Sequence, residues 1–160
     1  MMLKLFSIVS FLLIIFSLVI NVSASDLGDK EEKQPIVITS QSLTADNKEN
    51  IAIFEGSVVA TSEEMTMYSD KMTVYSDPDG NNIKKLHAAG NVKVHKNETT
   101  LFADEAMYFD DEEKIIFSGN PKAVQKGNVI TGSEIIFYIK DERAIVQKSR
   151  VVLQNRKEVK

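Results

Sequence analysis

The 160-residue chain predicts an all-β fold, with antiparallel strands copied as a repeated unit and covered on one face. Three observations carry this. A phrase recurs three times, as Phe54-Glu55-Gly56-Ser57-Val58, Ala88-Ala89-Gly90-Asn91-Val92 and Phe117-Ser118-Gly119-Asn120-Pro121. An acid follows each glycine at nearly constant distance: Asp70 14 residues after Gly56, Asp104 14 after Gly90, and Glu134 15 after Gly119. Fixed-period similarity of this kind marks one supersecondary unit copied and stacked. Finally, no long window keeps the apolar spacing of an amphipathic helix, whereas apolar and polar residues alternate repeatedly.

The N-terminus stands apart from this pattern. Leu5 to Ile20 is an apolar run broken only by serines, preceded by Lys4 and followed by Val22-Ser23-Ala24, with small residues suited to a cleavage site. As a helix that run would reach about 24 Å, short of the roughly 30 Å hydrocarbon core of a membrane. Residues 1–24 are therefore expected to be a cleaved signal peptide, with an uncleaved single-span anchor as the alternative; either way the folded part is exported. Removing 24 of 160 residues leaves 136, enough for one core, with 18 basic against 23 acidic residues, a formal charge of −5. That balance argues against nucleic acid, which needs concentrated Lys and Arg. The absence of cysteine excludes disulfides, zinc thiolates and thiol nucleophiles.

Residues 25–34 read as a flexible polar leader ending at Pro35, a position where a strand can begin. Ile36-Val37-Ile38 opens the first strand. Around Gly56, the residues Ala52, Phe54, Val58 and Ala60 share one face, and Glu55, Ser57 and Thr61 the other. Around Gly90, Leu86, Ala88, Val92 and Val94 oppose His87, Asn91, Lys93 and His95. Around Gly119 the inward set is Ile115, Phe117, Pro121 and Ala123. An apolar face opposite a mostly polar one is the mark of an antiparallel sheet covered on one side.

Across each acid the inward phase flips. Met65 and Met67 precede Asp70, and Met72 and Val74 follow it; Leu101 and Ala103 precede Asp104, and Ala106 and Tyr108 follow; Ile135 and Phe137 follow Glu134. This predicts a corner or bulge at each acid, whose carboxylate is expected to accept backbone N–H groups of the bend. Asp77-Pro78-Asp79-Gly80-Asn81-Asn82 is a turn; Asp110–Lys114 and Lys140–Arg143 are charged hairpin tips; and Lys126-Gly127-Asn128 supplies another turn. Apolar alternation runs to Leu153, and 154–160 is a polar tail expected to fray.

Catalytic patterns are absent. There is no phosphate-cradling glycine loop, and no Gly-x-Ser-x-Gly elbow. The 77–82 turn lacks the glycine position and final glutamate of a calcium loop. His87 and His95 lie on an outward face beside Lys84, Lys85, Lys93 and Lys96, four cations that disfavour a metal. That face reads as a solvated basic surface, or as one that meets phosphorylated head groups. No enzyme activity, metal or cofactor is expected.

Pro35-Ile36-Val37-Ile38, then Leu43 and Ala45-Asp46, then Phe54-x-Gly56-x-Val58 and Ala103-Asp104 closely resemble the LptA/OstA-like family of periplasmic lipopolysaccharide-transport bridge proteins. The resemblance spans about residues 35–153. It implies a twisted antiparallel β-jellyroll open at both ends, whose apolar interior carries the acyl chains of lipid A. It also implies a periplasmic location, head-to-tail joining of like domains, and inner- and outer-membrane transport partners of the same fold. The chain departs from the family where Lys148-Ser149 replaces the fourth glycine and Ser62-Glu63-Glu64 replaces a Gln-Gly turn.

On that reading the groove lining is Ile36, Ile38, Phe54, Val58, Met67, Met72, Val74, Leu86, Val92, Val94, Tyr108, Phe117, Ile135 and Phe137. The partner edges are Ile36, Val37, Ile38 and Thr39 at one end and Arg150, Val151, Val152 and Leu153 at the other. Burying a chain of about a dozen methylenes is worth roughly 10 kcal/mol, so acyl contacts suffice to hold a lipid on an acidic protein. Two other readings stay open: a membrane-anchored assembly subunit of the same superfamily, and a structural β-sandwich with a dry core.

Overall fold

The computed structural model describes residues 35–154. The expected signal peptide, the leader and the tail beyond Gln154 lie outside the described residues. The rest is all-β: β1 (Val37–Thr39), β2 (Ser42–Asp46), β3 (Ile51–Thr61), β4 (Met65–Ser76), β5 (Ile83–Lys96), β6 (Thr99–Phe109), β7 (Lys114–Ser118), β8 (Lys122–Gln125), β9 (Asn128–Thr131), β10 (Glu134–Tyr138), β11 (Arg143–Gln147) and β12 (Arg150–Val152). They form one open sheet of 12 strands, a twisted antiparallel jellyroll.

Pairing shows that several of these are halves of one bent strand. β1 and β2 both pair with β3. β7 and β8 both pair with β6, β10 and β9 continue from them, and β11 and β12 close the series. The chain is thus an up-and-down run of eight long strands, each bent once, and the bends divide the sheet into two half-sheets. Strands β1, β8, β9 and β12 belong to one half, and β2, β7, β10 and β11 to the other. Strands β3 to β6 run through both.

The repeated phrases make the bends. Gly56-Ser57, Gly90-Asn91 and Gly119-Asn120 are each two successive residues in the left-handed region, with φ of 84° and 50°, 80° and 49°, and 71° and 54°. The register jumps between Glu55 and Val58, and again between Ala89 and Val92. On the strands between, the bend is the predicted phase flip: Ser69 and Met72 are buried while Asp70 and Lys71 both face out, as do Asp104 and Glu105 between buried Ala103 and Ala106.

The acids do something other than expected. Their hydrogen-bond partners are side chains on the next strand, not backbone N–H groups of their own bend. Asn91 Nδ2 donates to Asp70 Oδ2 at 2.8 Å, and Asn120 Nδ2 to Asp104 Oδ2 at 3.3 Å. A Cβ added to Gly90 would lie 2.5 Å from Asp70 Oδ2, and one on Gly119 would lie 2.5 Å from Asp104 Oδ2. Each acid therefore stacks on the following glycine. At the first bend Gln41 takes the acid's place over Gly56. The fourth copy keeps its bend without a glycine: Lys148 is left-handed at φ 47°, and Gln147 Nε2 donates to Glu134 Oε1 at 3.1 Å.

Both half-sheets turn apolar faces inward. Val58, Met67, Val92, Val94 and Leu101 bury from one, and Met72, Val74, Leu86, Ile115, Phe117 and Ile135 from the other. The outer face is less polar than alternation suggests. Met107, Ile116, Ile136 and Ile145 stand in register across four outward-facing positions. Cations and rings also alternate there as direct cross-strand pairs: Lys85 over Tyr75 at 4.2 Å, Lys114 over Phe109 at 5.3 Å and Arg143 over Tyr138 at 4.6 Å. Such pairs are worth about 0.5–1 kcal/mol at exposed sites.

The turns form as read. Asp77 accepts Asn81 N at 2.9 Å and Asn82 Nδ2 at 2.7 Å, and the Asn82 bond holds its carboxyl below the usual range. Lys126-Gly127 is a two-residue hairpin turn with φ of 51° and 87°.

Candidate functional site

The candidate site is the space between the half-sheets. Over most of the chain that space is closed: Val58, Met67, Met72, Val74, Leu86 and Val92 are buried core, with Ile38, Phe54 and Tyr108 half-buried against it. Toward the C-terminal strands it opens into a cavity of about 400 Å³. Val94, Phe117, Ile135 and Phe137 border that cavity, together with Leu101, Ala123, Ile130, Val146, Val151 and Leu153. The expected continuous lining is therefore a packed core leading into one open chamber.

One lining residue is misplaced. Ile36 shares parity with Ile38, but β1 begins only at Val37, so Ile36 lies before the ladder and is 41% exposed. The residues that alternation missed as lining are those at the C-terminal edge. Val151 and Leu153 are exposed at the edge and also wall the cavity, because the end of the chain's last strand both closes the chamber and ends the sheet.

The predicted edges are where the sheet stops. β1 and β2 pair only with β3, and β12 pairs only with β9. Large exposed apolar side chains collect there: Ile36, Val37 and Leu43 on the first bent strand, and Ile145, Val151, Val152 and Leu153 on the last. Tyr68 alone among the described exposed apolar residues lies elsewhere.

The polar lining of the chamber is Lys96, Asn97, Thr99, Gln125, Asn128 and Glu142. Lys96 points inward from the end of β5, donating to Glu64 Oε2 at 2.6 Å, with Glu142 Oε1 at 3.8 Å. That bond and the ammonium charge hold the Glu64 carboxyl below its usual range. Tyr108 donates to Asp110 Oδ1 at 2.9 Å, and burial together with that acceptor pushes its hydroxyl well up.

The predicted basic face is largely paired within itself. His87 Nε2 lies 3.2 Å from Glu105, Lys84 bonds Asp111 at 3.2 Å, and Lys85 and Lys93 lie over Tyr75 and Tyr68. Lys96 does not belong to it. Its parity with Val92 and Val94 turns it into the interior. A shallow depression of about 520 Å³ on the outer face, walled by Asn91, Asp104, Asn120 and Lys122, follows the line of bends and opens widely to solvent. Among the described residues no three metal-ligating side chains come together.

Fold and site define a class of protein: an open, bent β-jellyroll enclosing an apolar chamber that reaches one free sheet edge. The model of the LptA/(LptD N-terminal domain) LPS transport protein family matches residues 37–143, and the chain belongs to that family. The lipopolysaccharide export system protein LptH of Pseudomonas aeruginosa is 25% identical over 127 residues, covering 75% of this chain and 71% of LptH. The crystal structure of LptH, described as the LptA-homologous periplasmic component of a conserved lipopolysaccharide transport device, aligns with a TM-score of 0.69. At 18% identity, over 76% of this chain and 96% of the solved one, that likeness bears on the fold alone.

Proposed function

We propose that this protein is a periplasmic lipopolysaccharide carrier. It shields lipid A acyl chains in the chamber between its half-sheets and joins like domains edge to edge, bridging inner and outer membranes. The observation that carries this reading is that Val151 and Leu153 wall the chamber and stand at the free edge together. A lipid held there sits beside the strand on which a neighbouring domain would pair, and unpaired apolar edges are templates for added strands. Acyl burial of roughly 10 kcal/mol makes release into water slow, so transfer needs a continuous neighbour. Of the groove lining predicted from the sequence, Val94, Phe117, Ile135 and Phe137 border the chamber, and the others except Ile36 pack as the core behind it.

A photo-crosslinking residue at Phe137 or Phe117 should label lipopolysaccharide while one at Ser118 should not; equal labelling on both faces would sink the groove. Deleting Ile36–Thr39 should abolish pairing with an upstream partner, and unchanged assembly would refute the edge. N-terminal sequencing of the exported protein separates this carrier from an anchored subunit of the same superfamily.

A further inference from the structure

Lys96 is the one charged residue among the described residues that is buried. Its side chain is only 9% exposed, and it borders the chamber with Phe137, whose ring centre lies 6.0 Å from Nζ. An ammonium has three N–H donors. Among the described residues Nζ donates one hydrogen bond, to Glu64; Glu142 at 3.8 Å is beyond hydrogen-bond reach. The two carboxylates are 68% and 71% exposed and come from opposite half-sheets, Glu64 from the turn before β4 and Glu142 from the β10–β11 tip. Burying an incompletely paired ammonium is costly, and an apolar residue would satisfy the chamber wall better. The position is one that an anion entering the chamber would occupy.

We propose that Lys96 is the subsite for the anionic group, phosphate or carboxylate, of an acylated amphiphile whose chain lies in the chamber. This rests on the carrier reading above. The ligand's oxygens take the free N–H donors, and the exposed Glu142 side chain swings out into solvent. Glu64 stays as the fixed partner that orients the ammonium. The subsite gives an acidic protein one point of charge recognition, at the mouth, with the acyl chain pointing inward.

The test uses the exported full chain and three probes, dodecyl phosphate below its micellar concentration, dodecanol below its solubility limit, and inorganic phosphate, with binding followed by calorimetry. Dodecyl phosphate should bind about tenfold or more tighter than dodecanol, the size of one charge-assisted hydrogen bond. Lys96→Met should erase that preference and leave dodecanol unchanged, Lys96→Arg should keep it, and Glu142→Gln should increase it by removing a competing carboxylate. Equal affinity for the two dodecyl probes in the unaltered protein, or a preference that survives Lys96→Met, overturns the subsite and leaves the carrier reading standing. Should Lys96→Met fail to fold, a Glu142→Gln protein with unchanged preference overturns it instead. Inorganic phosphate binding as tightly as dodecyl phosphate makes this a free-phosphate site and refutes the lipid assignment. Binding of neither dodecyl probe overturns the carrier reading itself.

Discussion

Gly90→Ala is the sharpest test of the line of bends. Gly90 has φ +80°, and a Cβ there meets Asp70 Oδ2 at 2.5 Å and Asp70 Cβ and Cγ at 3.0 Å. Two effects add. A left-handed alanine costs about 1–2 kcal/mol. Pushing Asp70 aside also breaks its bond from Asn91, which at an exposed position is worth about 0.5–1 kcal/mol. The total is about 1.5–3 kcal/mol, a loss of roughly 0.8–1.5 M in urea midpoint at a slope of about 2 kcal/mol/M. Gly80→Ala is the control: it has φ +71° but nothing within 4 Å, so only the backbone cost of about 1–2 kcal/mol applies. In an Asp70→Ala background the Gly90→Ala cost should fall toward that of the control. Urea unfolding of the four variants gives every quantity, and a Gly90→Ala loss no larger than that of Gly80→Ala refutes the stacking of acid on glycine.

Lys148→Gly should raise stability by about 1 kcal/mol, read as a higher urea midpoint, because glycine relieves a left-handed lysine at φ 47°; an unchanged or lower midpoint would contradict that. Phe117→Ala should cost about 3–5 kcal/mol in the same assay, since Phe117 is 0% exposed between the half-sheets. In a spectrophotometric titration Tyr108 should ionise well above the usual tyrosine range, because burial and Asp110 favour its neutral form. Its folded pKa is raised above the unfolded value, so its contribution is whole below about pH 10 and is lost as pH climbs from there toward its folded pKa; a Tyr108→Phe protein whose titration curve is unchanged at its alkaline end would contradict this.

The sequence showed the bends but not all of what holds them. Gly56, Gly90 and Gly119 were legible because the left-handed backbone there selects glycine, and the phase flips at Asp70 and Asp104 followed from counting. The partners of those acids were not legible, because which strand lies alongside is a matter of pairing that no single stretch of chain contains. Lys148 was legible only by its place, where the repeat calls for a fourth glycine: a lysine by itself says nothing about φ, and its neighbours in the sheet hold it there. Lys96 was legible by parity with Val92 and Val94, yet its charge argued for the surface. The chamber itself was hidden, since alternation says which way a side chain points and not whether two inward faces meet. Ile116 and Ile136 run against the alternation, as apolar residues on the outer face that neighbouring strands half-cover.

The bends also alternate in kind along the sheet. Gln41 and the acids stand at the first, third, fifth and seventh strands, and the left-handed residues, ending with Lys148, at the second, fourth, sixth and eighth. Eight is an even number, so the series opens on one kind and closes on the other. A last strand laid against a first strand from another copy would therefore meet the neighbour that the pattern already calls for, with no break in phase. A junction of that sort would look, strand by strand, like the inside of a single domain. It would follow that the domain encodes a direction of growth but no length, and that any stop must be supplied by whatever terminates the row.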